Sequence, residues 1–150
     1  MIATIEKSVA AGNVLAPPSK SMAHRLLICA GLAEGKSTVT NITFSQDILA
    51  TLDCLSAIGA KYNINGNTVE IYGVNPLNVT NEIFACCRES GSTLRFFVPV
   101  MLLSGYNCTL TGSDYLLKRP LNVYEDICKK QNLSFDLNDD KLLLKGLLQT

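Results

Sequence analysis

The sequence contains no tryptophan and a single histidine, His24, and 17% of its 150 residues are charged. Its 13 lysines and arginines are balanced by 13 aspartates and glutamates, so no net field draws the chain to nucleic acid or to an anionic membrane. Any anion site must be local. No apolar run approaches the roughly 20 residues that cross a bilayer. The greasiest stretch, Leu94 to Leu103, is interrupted by Arg95 and Pro99 and is expected to form a buried helix. The six cysteines include no Cys-x-x-Cys pair, and with one histidine this excludes the usual zinc and disulfide frameworks. Cys29, Cys54 and Cys128 instead fall at apolar positions of helical patterns, where a thiol packs as a small hydrophobe.

Met1 to Val14 carries Glu6 and Lys7 within its apolar stretch and lacks the basic start and unbroken apolar segment of a secretory signal. A cytoplasmic protein is expected. The sequons at Asn41, Asn78, Asn107 and Asn132 are then chance matches, since that glycosylation needs the secretory route.

What is present is an ordered series of elements. Ile2 to Val9 has the pattern of a strand, and Pro17 and Pro18 lead into a helix starting near Ser19. Met22 to Ala33 is apolar nearly all round, which predicts a buried helix stopped by Gly35. Ser37 to Phe44 alternates as a strand does. Ser45 or Asp47 can cap a second helix carrying Ile48, Leu52, Leu55 and Ile58, and Gly59 ends it. Lys61 to Ile64 and Thr68 to Tyr72 then form a hairpin through Asn65, Gly66 and Asn67.

From Ser90 the same order returns: a helix over Ser92 to Leu103, Gly105, a strand over Asn107 to Thr111, a helix over Pro120 to Lys130, and a hairpin of Leu133 to Leu137 with Lys141 to Leu144. Arg25 corresponds to Arg95, Gly35 to Gly105 and Gly73 to Gly146, which identifies an internal duplication. Such a unit cannot cover both faces of its own elements, so the copies should pack with helices inside and sheets outside.

The chemistry concentrates at helix starts. Pro18-Ser19-Lys20-Ser21-Met22-Ala23-His24-Arg25 places a lysine where unpaired backbone amides and the positive end of a helix dipole attract anions. Ser21 and Arg25 lie four apart on one face and can grip the same phosphate or carboxylate; the alternative is an internal salt bridge from Arg25 to an acid such as Asp47. Glu89-Ser90-Gly91-Ser92-Thr93-Leu94-Arg95 repeats the device, with Gly91 allowing close approach to the backbone. Lys118-Arg119-Pro120 precedes the last helix, and Arg119 either joins the cleft or is a solvated loop arginine. Gly31-Leu32-Ala33-Glu34-Gly35-Lys36-Ser37-Thr38 imitates a nucleotide-binding loop but is one residue short and joins a helix to a strand, the reverse of what that loop requires.

Pro-Ser-Lys-Ser-x-x-x-Arg, followed by Gly35, Thr40-Asn41 and Ser45-x-Asp47, then Ser90-Gly91-Ser92-Thr93-x-Arg95 and Lys118-Arg119-Pro120, resembles the shikimate-pathway enolpyruvyl transferase family along essentially the whole chain. The resemblance implies an α/β (α+β) fold of repeated βαβαββ units in an inside-out barrel. It divides the chain into a strand, 1–13, belonging to the family's other domain, and two repeats, about 14–74 and 75–150. It implies transfer of the enolpyruvyl group of phosphoenolpyruvate to the 5-hydroxyl of shikimate 3-phosphate, through a tetrahedral intermediate that then loses phosphate, on the route to chorismate and aromatic amino acids. Lys20 would contact both substrates and act catalytically, Ser21 and Arg25 would hold shikimate 3-phosphate, and Gly91 and Arg119 would bind phosphoenolpyruvate. By the same resemblance no metal or organic cofactor is needed, the family is monomeric, and room for the inhibitor glyphosate is decided at Gly91.

A related transferase acting on UDP-N-acetylglucosamine shares the fold, but typically has asparagine where Ser21 stands. The family's third repeat and second domain, with their Ser-Ser-Gln segment, acidic proton-transfer residue, lysine and further arginines, have no counterpart in these 150 residues. An incomplete chain, inactive alone and open to self-association, is therefore expected. The competing classes are a binding module for a phosphorylated metabolite and a structural duplication whose arginines pair internally.

Overall fold

The computed structural model describes residues 3–149 except 5, 8 and 10. Four of its helices begin on a serine whose Oγ accepts the backbone N–H three residues on: Ser19 from Met22, Ser45 from Ile48, Ser90 from Thr93 and Ser113 from Leu116. Each cap satisfies one of the amides that a helix start leaves without a partner. The capped helices are α1 (Lys20–Leu32), α2 (Gln46–Ala57), α3 (Gly91–Leu102) and the single turn α4 (Asp114–Leu117), while α5 (Asn122–Lys130) lacks a side-chain cap.

Two sheets flank these helices. The first contains β1 (Gly35–Val39), β2 (Lys61–Asn65) and β3 (Thr68–Gly73) in the antiparallel order β1-β3-β2. The second contains β4 (Ile83–Cys86), β5 (Cys108–Thr111), β6 (Ser134–Leu137) and β7 (Lys141–Lys145) in the order β4-β5-β7-β6, with β4 parallel to β5 and the other pairs antiparallel. Matching β1, β3 and β2 with β5, β7 and β6 reproduces the duplicated order, and β4 has no counterpart in the first sheet among the described residues. The expected strand Ile2 to Val9 includes residues 2, 5 and 8, which lie outside the described residues. Its described members are exposed and belong to no strand.

Helix α2 packs on α1 and β2 within its own unit and on α3 and β4 of the other. One core therefore runs through both units, with Leu27, Ile48, Leu52, Leu55, Ile71, Ile83, Leu94, Phe97, Met101, Leu110 and Leu142 fully buried. At roughly 2 kcal/mol for each fully buried large apolar side chain, these residues supply much of the driving force for assembly.

Two sequence expectations are corrected. Helix α1 is not buried all round: Met22 and Leu26 are 55% and 47% exposed, and Cys29 beside them is exposed. Packing on α2 and the first sheet covers a single face, and no described element lies over the other. Cys29 is thus a surface thiol, unlike Cys54 and Cys128, which are buried as expected. The residue pattern also gave no strand between Tyr72 and Ser90, yet Ile83–Cys86 forms β4 with alternating buried and exposed residues. Four residues are too short a run for that alternation to stand out.

The first unit closes through unusually close contact between α1 and β3. Val74 donates its N–H to Gly31 O at 2.9 Å, and a methyl group on Gly73 would lie 2.1 Å from Ala33 O and 2.4 Å from Ala30 O. Backbone oxygens at such distances cannot yield. Gly73→Ala should therefore lower unfolding stability by roughly 2 to 3 kcal/mol, seen as an earlier midpoint in urea denaturation followed by circular dichroism.

Candidate anion site at three helix starts

The N-termini of α1, α2 and α3 are tied together by buried polar groups. His24 Nδ1 lies 2.7 Å from Thr51 Oγ1, and Thr51 Oγ1 lies 2.9 Å from Thr93 Oγ1. Thr93 Oγ1 approaches the Ser90 hydroxyl at 2.7 Å. The carbonyl of Asp47 is within 3.3 Å of both threonine hydroxyls. All four side chains of the row His24, Thr51, Thr93 and Ser90 are at most 1% exposed. Local sequence gives little warning of this, because partners such as His24 and Thr51 lie far apart in the chain; the Ser90-x-x-Thr93 spacing is the one part visible beforehand.

Lys20 sits at the mouth of α1 and forms an ion pair with Asp47 in the first turn of α2. The acid at Asp47 therefore neutralises Lys20, not Arg25. Arg25 turns its Nη1 to Ser21 O at 2.8 Å and holds its guanidinium 5.3 Å from the centre of the Phe96 ring on α3. This contact uses the Ser21 carbonyl and leaves its hydroxyl out. Cation and ring together bridge α1 to α3.

At the start of α3 two further guanidiniums converge on Gly91. A methyl group built there would lie 2.6 Å from Arg119 Nη1 and 2.9 Å from Arg95 Nη1. Arg95 is anchored by donating to Gly91 O and Pro120 O at 3.2 and 3.5 Å, and Arg119 lies 5.3 Å from the centre of the Tyr115 ring. The ion pairs among the described residues engage Lys20, Lys36 and Arg88, so Arg25, Arg95 and Arg119 have no carboxylate partner there. A helix start with a bare glycine and two arginines unpaired with an acid carries a local excess of positive charge, which attracts anions in general. Arg119 thus lies beside Gly91 and Arg95 and is half-buried.

A groove of about 560 Å³ lies elsewhere, lined in part by Glu34, Asn75, Asn78, Asn81 and Glu82 and by no lysine or arginine. Its acids would repel a phosphorylated ligand. Beside Lys20 the surface holds a hollow of about 110 Å³, consistent with an open mouth and not an enclosed cavity. Cys54 and Cys87 are buried with their sulfurs 3.9 Å apart; the hydrogen bond between them and their burial push the Cys54 thiol far above its usual pKa, which suits packing and not nucleophilic attack. The reversed nucleotide-loop imitation ends in an exposed Lys36 paired with Glu70.

The fold and site together define a duplicated helix-and-sheet protein that gathers lysine and arginine side chains at its helix starts. Comparison with known proteins gives that class its family. The family model for EPSP synthase (3-phosphoshikimate 1-carboxyvinyltransferase) matches residues 5–139, and the chain belongs to that family. It is 42% identical over 131 residues to the 3-phosphoshikimate 1-carboxyvinyltransferase of Clostridium perfringens strain 13, covering 87% of this chain and 31% of the relative. The enzyme of the same name from Clostridium beijerinckii is 45% identical over 141 residues, covering 89% and 32%. The chain thus spans about a third of the length of the curated relatives it matches. EPSP synthase from Acinetobacter baumannii shares the fold, with a TM-score of 0.76 at 22% identity over 92% of this chain and 33% of that one.

Burial holds the His24 imidazole below its usual pKa; Asp47 opposes the shift, and Lys20 and Arg25 add to it. On acidification the unfolded chain therefore takes up the proton first, near pH 6.5. The stability contributed by neutral His24 should be full above that pH and fall below it. Urea midpoints at pH 7.5 and pH 5 should show the loss, and His24→Asn should flatten that part of the slope.

Proposed function

We propose that this chain forms the N-terminal part of the transferase that moves the enolpyruvyl group of phosphoenolpyruvate onto the 5-hydroxyl of shikimate 3-phosphate. Family membership supports the reaction class, and the observation that carries the site is the convergence of Arg95 and Arg119 on Gly91. Phosphoenolpyruvate brings a carboxylate and a phosphate. Two guanidiniums and the amides of the α3 start can neutralise that charge as it approaches a second anion held near Lys20, Ser21 and Arg25. Lys20 is the catalytic candidate. Addition of the 5-hydroxyl across the enolpyruvyl double bond, oxygen to the phosphate-bearing carbon and a proton to the methylene carbon as the hydroxyl gives up its own, forms a tetrahedral intermediate, and elimination of phosphate with a proton from the resulting methyl restores the double bond. What these residues supply is positioning of two mutually repelling anions and electrostatic stabilisation.

Within the same proposal, residues 1–13 contribute a strand to a second domain, residues 14–74 and 75–150 are two of the repeats, and the protein works in the cytoplasm. A third repeat and the second domain complete the site, so the chain alone binds weakly and does not turn over. The exposed apolar side of α1, with Met22 and Leu26, is a surface on which isolated copies can self-associate.

Two measurements test this. With both substrates present, the purified 150-residue chain should release no phosphate above background, and sustained turnover would contradict the incomplete site. In a chain carrying the full length of its relatives, Lys20→Met should reduce kcat by at least about a hundredfold. A change confined to KM would instead indicate a binding role.

A further inference from the structure

Arg88 stands in the turn between β4 and α3 with a backbone φ of 51°, a left-handed conformation that is costly for a residue with a Cβ and free for glycine. Its side chain does not lie loose in solvent. Nε and Nη2 both donate to Asp53 Oδ2, at 3.0 and 2.7 Å, and Nη1 donates to Gln46 Oε1 at 2.5 Å. Asp53 and Gln46 belong to α2, across the junction between the two units. The backbone of the same residue is pinned as well: its carbonyl accepts the N–H of Ser113 at 2.7 Å, and the neighbouring Cys87 carbonyl accepts that of Ser90 at 2.9 Å.

The guanidinium and Asp53 side chains are 35% and 39% exposed, and ion pairs at such exposure contribute little net stability, about what the left-handed backbone takes away. Stability therefore does not account for an arginine here. A backbone outlier held by its surroundings points instead to function. Arg88 stands three positions before Gly91, so the turn it fixes sets where α3 begins and where its first amides face. The anchor is α2, the helix whose Asp47 holds Lys20. Both cationic mouths are thereby referred to one rigid element.

We propose that Arg88 is a positioning residue: its fork on Asp53 and Gln46 locks the start of α3, and so the Gly91 anion site, in register with Lys20 on the other unit. This rests on the anion site assigned to Gly91 above. It touches no substrate.

The test uses the whole chain, labelled with ¹⁵N, and phosphoenolpyruvate as the probe, read from the backbone amides of Gly91 and Ser92. Arg88→Gly relieves the left-handed backbone and removes the fork, so its thermal midpoint should match or exceed that of the unaltered chain while the apparent Kd rises about tenfold. Asp53→Asn should weaken binding in the same direction. Arg88→Lys, which keeps the charge but not the planar fork, should restore only part of the affinity. Unchanged affinity in Arg88→Gly overturns the proposal. Should the unaltered chain show no shift at Gly91 and Ser92, the anion-site assignment fails on its own, and amide exchange decides the positioning role. Exchange at those two amides about tenfold faster in Arg88→Gly, with β4 unaffected, upholds the lock, and equal exchange rejects it.

Discussion

Helix α2 is the element on which the rest of the molecule depends. Its apolar side carries Ile48, Leu52 and Leu55 into the shared core, and its first turn offers polar groups in two directions. The Asp47 carboxylate faces Lys20 on α1, the Asp47 carbonyl faces the hydroxyls of Thr51 and Thr93, and Gln46 faces Arg88. A helix start has amides to satisfy and a positive dipole end. Three such starts gathered at one place would repel one another without compensation. The buried row of His24, Thr51, Thr93 and Ser90 supplies hydrogen bonds, and Asp47 supplies a negative charge, so the three ends can approach one another.

That arrangement explains why the cations differ in their surroundings. Lys20, with a flexible stem, is held by Asp47, whereas Arg25 and Arg119 rest against aromatic rings and Arg95 on backbone carbonyls. Rings and carbonyls orient a guanidinium without cancelling its charge. A carboxylate beside every arginine would instead cancel that charge.

Much of this was legible from residues. The helix start near Ser19, the Ser45 cap, the hairpin at Gly66 and the duplicated order of elements all rest on local physics: a hydroxyl three residues ahead of an amide, a glycine at a tight turn, apolar spacing on one face. What lay beyond reach depended on packing between distant segments. The four-residue strand β4 owes its existence to pairing with β5. Cys29 and Met22 have the same apolar character as their buried neighbours, and their exposure follows from which side of α1 receives α2.

By itself, then, the sequence determined that helix starts carrying lysine or arginine are present twice, and in which order, because capping and helix polarity are properties of a few consecutive residues. The tertiary structure decided which charges are spent and which are kept. Spacing alone offered Asp47 to Arg25, and the packing of α2 on α1 gave it to Lys20. Arg119 became part of the Gly91 site because the connection through α4, closed by Leu116 and Leu117 in the core, folds it back over the α3 start. No local pattern encodes such a meeting, since it arises from burying two units against one another.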